Sequence, residues 1–233
     1  MSFYLYFNLL IIAFPLIFSF EKRIKFYKKI KPLLVSLFIV GIFFIAWDVF
    51  ATSRGHWSFN PLYVNEVTFL GIPLEEVLFF VTVPYSCIFV FDSIIHFLED
   101  KQLFCNKKWI FLLVGLTISL SAFLVQSMEY TFLAIISVGL TIIAVSLVNP
   151  ELFASKAYWI YTFLTLILFL IFNYILTSTP VVLYSPTAIT GFRVTTIPIE
   201  DFLFNYSMLT NYLMVYLWAT KKAKKTITKQ VIV

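Results

Sequence analysis

Six carboxylates stand inside apolar stretches of this sequence: Asp48, Glu75, Glu76, Asp92, Glu200 and Asp201. An acid in hydrocarbon is costly and generally has a task, such as holding or passing a proton. Four of them form two copies of one motif, Pro-x-Glu-[Glu/Asp], at Pro73–Glu76 and Pro198–Asp201. Proline suits the first helical position, where its missing N–H is not needed. Each acid pair then falls in a first turn, favoured by the positive helix end. Acids so placed could serve only to start a helix at a wet interface. Two features speak for chemistry. The pair recurs, where a cap needs one acid at most. Each copy also runs straight into aromatics, Phe79-Phe80 in one and Phe202 and Phe204 in the other. Neighbouring helical residues point about 100° apart, so one acid of each pair faces the centre; the spacing does not say which.

Other polar residues have plainer readings. Asp48 follows Trp47 and aligns with Asn173 of the later motif copy. Either could hydrogen-bond a carboxyl between helices, or make an ordinary interhelical contact. Asp92 and His96, four apart, predict a mutual hydrogen bond on one helix face. Arg193, seven residues before Glu200, could pair with it or be solvated. Pro84 predicts a kink. With two cysteines, Cys87 and Cys105, and two histidines, His56 and His96, no disulfide framework and no metal site is expected. The six glycines are scattered, so no phosphate-cradling or dinucleotide loop is expected. No aspartate-rich magnesium motif, nucleophile elbow or metalloprotease motif is present. The last apolar run has no lysine for a retinal Schiff base.

The elements that must carry these residues follow from composition. The chain of 233 residues is 61% hydrophobic and only 12% charged, with a mean hydropathy of +0.94, too apolar for a soluble domain. Seven runs approach the roughly 20 residues a bilayer needs: Phe3–Phe20, Pro32–Phe50, Ile72–Phe97, Trp109–Val125, Met128–Val148, Ala157–Leu176 and Ile197–Thr220. The first has no basic stretch before it, so it is expected to stay rather than be cleaved. The net charge of +5 does not point to nucleic acid, because the positives flank apolar runs. Of 17 basic residues, all but Arg54 and Arg193 fall before the second run, around Lys101–Lys108, at Lys156 or after Thr220. The positive-inside bias then predicts an outside N-terminus and a cytoplasmic tail, in a plasma (bacterial inner) membrane.

The sequence also repeats. Gly71–Phe80 aligns with Thr196–Asn205 at a shift of 125 residues, and the same shift lays Trp47-Asp48 over Phe172-Asn173. Spans one to three thus correspond to five to seven. The expected fold is an all-α polytopic membrane protein, two parallel three-helix repeats joined by a connector helix. Its parts are 1–100, a connector 101–127, 128–220 and a basic tail 221–233. Sites in such folds lie between the repeats.

At these motifs the chain resembles the lycopene cyclase domain family, the small membrane type found as paired subunits or as a fused protein. The resembling stretches are Trp47-Asp48, Trp57-Ser58-Phe59, Gly71–Phe80 and Pro84 in the first half. Gly191-Phe192 and Ile197–Phe204 carry it in the second. The second copy departs from the first at Asp201 and Asn205. The resemblance covers most of both halves and implies a fused two-half lycopene β-cyclase without a cofactor. Its substrate would be lycopene or a related linear carotenoid, with membrane lipid as its surroundings. The implied reaction is redox-neutral: a proton adds to a terminal double bond, an internal double bond attacks the cation, and a second proton leaves. Burial favours the neutral acid this requires, a neighbouring carboxyl shares the proton, aromatic faces attract the cation, and water must be excluded. Glu75 and Glu200 are the first candidates for the acid, with Glu76 and Asp201 next. Trp47, Asp48, Phe79, Phe80, Asn173 and Phe204 are the expected substrate contacts. Other readings are a carotenoid hydratase that lets water capture the same cation, a seven-helix transporter or proton channel with a carboxylate relay, and a carotenoid or quinone binder. The oligomeric state is left open.

Overall fold

The computed structural model describes residues 1–105 and 107–231, with backbone alone for 224–231. Seven helices appear where the apolar runs lie: α1 (Phe3–Phe18), α2 (Ile30–Ser53), α3 (Leu74–Phe97), α4 (Lys108–Ser121), α5 (Glu129–Val148), α6 (Lys156–Ser178) and α7 (Ile199–Val231). The chain is an all-α membrane protein. Five helical stretches are long and apolar enough to span a bilayer, Phe26–Ser53, α3, Lys108–Val125, α5 and α6, and α1 is a shorter apolar helix. The backbone of α7 runs on through the expected tail, whose Lys224, Lys225 and Lys229 side chains lie outside the described residues.

Short paired strands cap one end of the bundle. β1 (Trp57–Phe59), after α2, pairs antiparallel with β4 (Val182–Tyr184), after α6, with Trp57 opposite Tyr184 and Phe59 opposite Val182. At the 125-residue shift those two pairs exchange into one another, so the ladder straddles a pseudo-two-fold axis. Each motif helix is then entered through a hairpin: β2 (Thr68–Phe69) with β3 (Ile72–Pro73), and β5 (Arg193–Val194) with β6 (Ile197–Pro198). Positive φ at Leu70 (50°) and Gly71 (90°) is what a two-residue hairpin turn demands. Because both motif helices begin at this end, the two halves run in the same direction.

The opposite end carries the lysines. The loops before α4 and α6 meet there, with the Lys156 N–H donating to the Lys101 carbonyl at 2.9 Å. Lys29 Nζ reaches both Asp92 oxygens at 2.8 Å, and the Tyr216 hydroxyl donates to Oδ1 at 3.0 Å. The expected Asp92–His96 bond is therefore not made; the His96 ring packs on Phe97 instead. Arg54 and Arg193 both lie at the strand-capped end, so the sequence's division of charge is a physical division of the bundle's two ends.

Helix packing exchanges partners between halves. α1 packs on α3 and α5 on α7, while α2 leans on α7 and α6 on α3. α4 sits at the rim against α5. There Gly115 and Gly139 let the backbones touch, since a Cβ on Gly139 would stand 2.6 Å from the Gly115 carbonyl oxygen. Pro84 does not break α3, which continues to Phe97. The missing N–H of Pro84 frees the Phe80 carbonyl, and the Tyr212 hydroxyl of α7 donates to it at 2.8 Å. Pro15 frees the Ile11 carbonyl of α1 in the same way, and the Ser86 hydroxyl of α3, which donates to the Thr82 carbonyl at 2.7 Å, lies 3.1 Å from it. The Pro84 defect is thus repaired from a neighbouring helix.

Candidate active site

Pro73 is the cap residue one place before α3, so Glu75 and Glu76 lie in the first helical turn, as do Glu200 and Asp201 in α7. All four side chains are buried. Within each pair the two acids turn apart. Glu75 Oε1 accepts from the Asn65 N–H at 2.9 Å, from Asn65 Nδ2 at 2.7 Å and from the Ser2 hydroxyl. Glu200 Oε1 accepts from the Thr190 N–H and hydroxyl, each at 2.8 Å, and from the Thr131 hydroxyl at 2.7 Å. Asn65 and Thr190 are equivalent at the 125-residue shift. Glu75 and Glu200 therefore tie each motif helix to the loop before it. The second carboxyl oxygen of both is buried without a partner.

Glu76 and Asp201 face inward, onto a cavity of about 70 Å³ between the halves. That volume admits a few waters. The Tyr4 hydroxyl donates to Glu76 Oε2 at 2.6 Å. Asp201 receives more: Tyr130 at 2.7 Å on Oδ1, Tyr184 at 2.6 Å and Asn173 Nδ2 at 3.0 Å on Oδ2. Asp48 also lines the cavity. Trp57 Nε1 donates to its Oδ1 at 2.9 Å, while Oδ2 is buried without a partner. Tyr184 lies in the strand cap, where burial and then the Asp201 carboxylate push its phenol well above the usual range, so it serves as a donor.

Aromatic side chains Phe59, Phe79, Phe169 and Phe204 complete the wall. Of the expected substrate contacts, Asp48, Phe79, Asn173 and Phe204 line this cavity. Trp47 and Phe80 do not; they stand behind Phe204, with ring centroids 5.1 and 6.5 Å from it. Arg193 does not pair with Glu200. It donates to the Thr196 carbonyl at 2.6 Å and lies over the Tyr184 ring. The phenols of Tyr4, Tyr130 and Tyr184 have no forerunner in the sequence reading. Tyr4 and Tyr130 are counterparts offset by 126 residues rather than 125, so a search at the motif's own period passes over them.

A second, apolar hollow of about 330 Å³ adjoins the first, between α1, α3 and α6. The two share Phe79, Phe169, Asn173, Leu176 and Asn205. A carboxyl cluster thus stands beside an apolar groove across shared wall residues, an arrangement that brings a proton source close to a hydrocarbon. Among the described residues no group of three or more His, Cys, Asp or Glu is arranged to hold a metal ion.

No curated protein sequence and no solved structure matches the chain. The model of the lycopene cyclase family matches residues 1–94 and 127–219, one segment in each half and each holding one acid motif. The match covers far more than half of the chain, and its substrate class suits an apolar groove that ends at buried acids: the chain belongs to the lycopene cyclase family.

Proposed function

We propose that this membrane-embedded carotenoid cyclase is a lycopene β-cyclase that closes the ψ-ends of a linear C40 polyene into β-rings by proton-initiated isomerisation. The observation that carries the reading is the inward-facing set Glu76, Asp48 and Asp201 in a small cavity beside an apolar groove. Glu76 is the proton donor. It has one hydrogen-bond donor of its own and shares the cavity with two further carboxyls, and three charges could not all be sustained there. Proton transfer to the terminal double bond leaves a tertiary cation. The internal double bond attacks it, forming the ring bond and shifting the charge. Loss of a ring proton to the free Oδ2 of Asp48 then restores a double bond. The substrate is neither oxidised nor reduced; Glu76 reloads from water at the strand-capped end, and Asp48 releases the ring proton to the same water. Asp201, held by three donors, is the fixed anion facing the cation, and the Phe79, Phe169 and Phe204 rings stabilise the cation without capturing it.

Glu75 and Glu200, the first candidates from sequence, take a positioning role, because their bonds go to the preceding loops and to Ser2 and Thr131 at the starts of neighbouring helices. Each half supplies one motif, 1–100 the acid and 128–220 the fixed anion. A carotenoid hydratase would use the same protonation. The family match favours the cyclase, and the identity of the product separates the two. The test is to express the chain in cells that make lycopene and identify the pigment by chromatography. A cyclic carotenoid is expected; unchanged lycopene or an acyclic alcohol would overturn the reading.

A further inference from the structure

The two halves are near-copies around the acid cluster, yet their grooves differ. The groove between α1, α3 and α6 is open, and at its mouth Leu10 and Phe14 are 53% and 60% exposed, as a side door to lipid requires. It follows α3 from Phe79 to Val90, roughly 16 Å at 1.5 Å per residue. That is about half of a 30 Å hydrocarbon core, and so about half of a polyene that spans one.

The equivalent space in the other half, between α5, α7 and α2, is filled. Cys87 lines the open groove, and its counterpart at the 125-residue shift is Tyr212, fully buried. Ser36 of α2 donates to the Tyr212 carbonyl at 2.6 Å, and the Tyr212 hydroxyl donates to Phe80 of α3. A Cβ on Gly41 would lie 3.3 Å from that hydroxyl, so α2 runs close against the phenol. Phe44 stacks on Trp47 at 5.7 Å, and Phe204 closes edge-on against both.

We propose that the groove between α1, α3 and α6 is the single polyene channel among the described residues. It admits one end of a linear carotenoid sideways from lipid, so a second ring requires release and re-entry by the other end. The two-fold pattern of the acid cluster would suggest two equivalent active sites, one for each end. The occupied α2–α7 seam removes the second entrance. This inference rests on the acid cluster being the reaction centre, but its test reads binding separately from turnover.

Full-length chain carrying Glu76→Gln is purified from cells making lycopene, and co-purifying polyene is measured by absorption against protein. Stoichiometric polyene is expected. Adding Cys87→Tyr places in the open groove the side chain that fills its twin, and retained polyene should fall by about tenfold or more. Thr165→Phe, which fills the groove from α6, should act alike and carries the comparison if Cys87→Tyr does not accumulate. Undiminished retention in either filled variant would overturn the channel. If Glu76→Gln chain still forms rings, the acid assignment fails while the retention comparison stands. Single entry is read in wild-type membranes by a pulse of labelled lycopene and a chase of excess unlabelled lycopene. Labelled bicyclic product should be suppressed in favour of labelled monocyclic product. Bicyclic label that ignores the chase would overturn release between closures.

Discussion

Glu76 and Asp201 occupy equivalent positions in the two halves, yet Tyr4 alone donates to Glu76, whereas Tyr130, Tyr184 and Asn173 all donate to Asp201. A repeated motif has thus produced two carboxyls with different surroundings in one cavity. Part of the difference sits on one paired position: Asp48 of α2 corresponds to Asn173 of α6. The amide donates to Asp201, while the acid adds a further carboxyl on the side of Glu76. Differing environments for paired acids are how acid and anion roles become separated.

Glu76→Gln should remove most cyclisation while the protein still accumulates. General acid catalysis contributes about 10²–10⁴-fold, so a loss of that size is expected in pigment formed per unit of membrane protein. Asp201→Asn should also be severe, because three donors would then face a neutral amide. Full activity in Glu76→Gln would remove that residue from the donor role.

Glu75→Ala and Glu200→Ala should act on folding before chemistry. Each leaves three donors unmatched at a helix start, at a cost of about 1–3 kcal/mol per stranded buried group. Lower accumulation and a lower unfolding temperature in detergent are expected, with activity per folded molecule reduced less than in Glu76→Gln. A stable Glu75→Gln chain with no activity would return Glu75 to the acid role.

The seven helices, the repeat and the two ends of the bundle were legible in the sequence, because hydropathy, a 125-residue period and lysine placement are one-dimensional signals. Which acid of each pair turns inward was not. It depends on donors from Ser2, Asn65, Thr131 and Thr190, which lie on other elements and reach the acids only after folding. The phenols escaped for a similar reason, since the one-residue offset of Tyr4 and Tyr130 breaks the period that reveals the motif. Asp92 went to Lys29 rather than His96 because packing brought a distant cation and the Tyr216 phenol to it. Adjacency along a helix was the weaker guide.

Tyr130→Phe and Tyr184→Phe should each lower activity by about tenfold, the effect of losing one hydrogen bond to a buried charged group. The raised pKa of Tyr184 adds a pH expectation. A phenol whose pKa lies above its ordinary value of about 10 remains a donor up to and beyond that pH. Its ionisation should therefore cause no alkaline loss below about pH 10. A fall in wild-type activity between pH 8 and 10 that vanishes in Tyr184→Phe would contradict this.

Tyr212→Phe should destabilise the chain by about 1–3 kcal/mol by stranding the Phe80 carbonyl. Pro84→Ala restores an N–H in α3 and should recover part of that loss, which thermal unfolding of the single and double variants would show. Additive losses would mean that Tyr212 does not repair the proline defect.

The orientation rests on charge. Reporter fusions after His56 and Arg193 should report the outer side, and fusions after Lys25, Lys107 and Lys225 the cytoplasm, as the lysine-rich end predicts. An outer-side signal from the Lys225 fusion would invert the arrangement and with it the source of the proton.

The central claim, that a solvent-loaded carboxylic acid starts a redox-neutral ring closure, is tested most directly by isotope. Washed membranes containing the chain are given lycopene in deuterated water, without added cofactor, and the pigment is analysed by mass spectrometry over many turnovers. The account predicts a ring-closed product that carries one deuterium for each ring on the protonated ring carbon and has gained no oxygen. A ring-closed product without deuterium, or an acyclic product that has gained water, would contradict it.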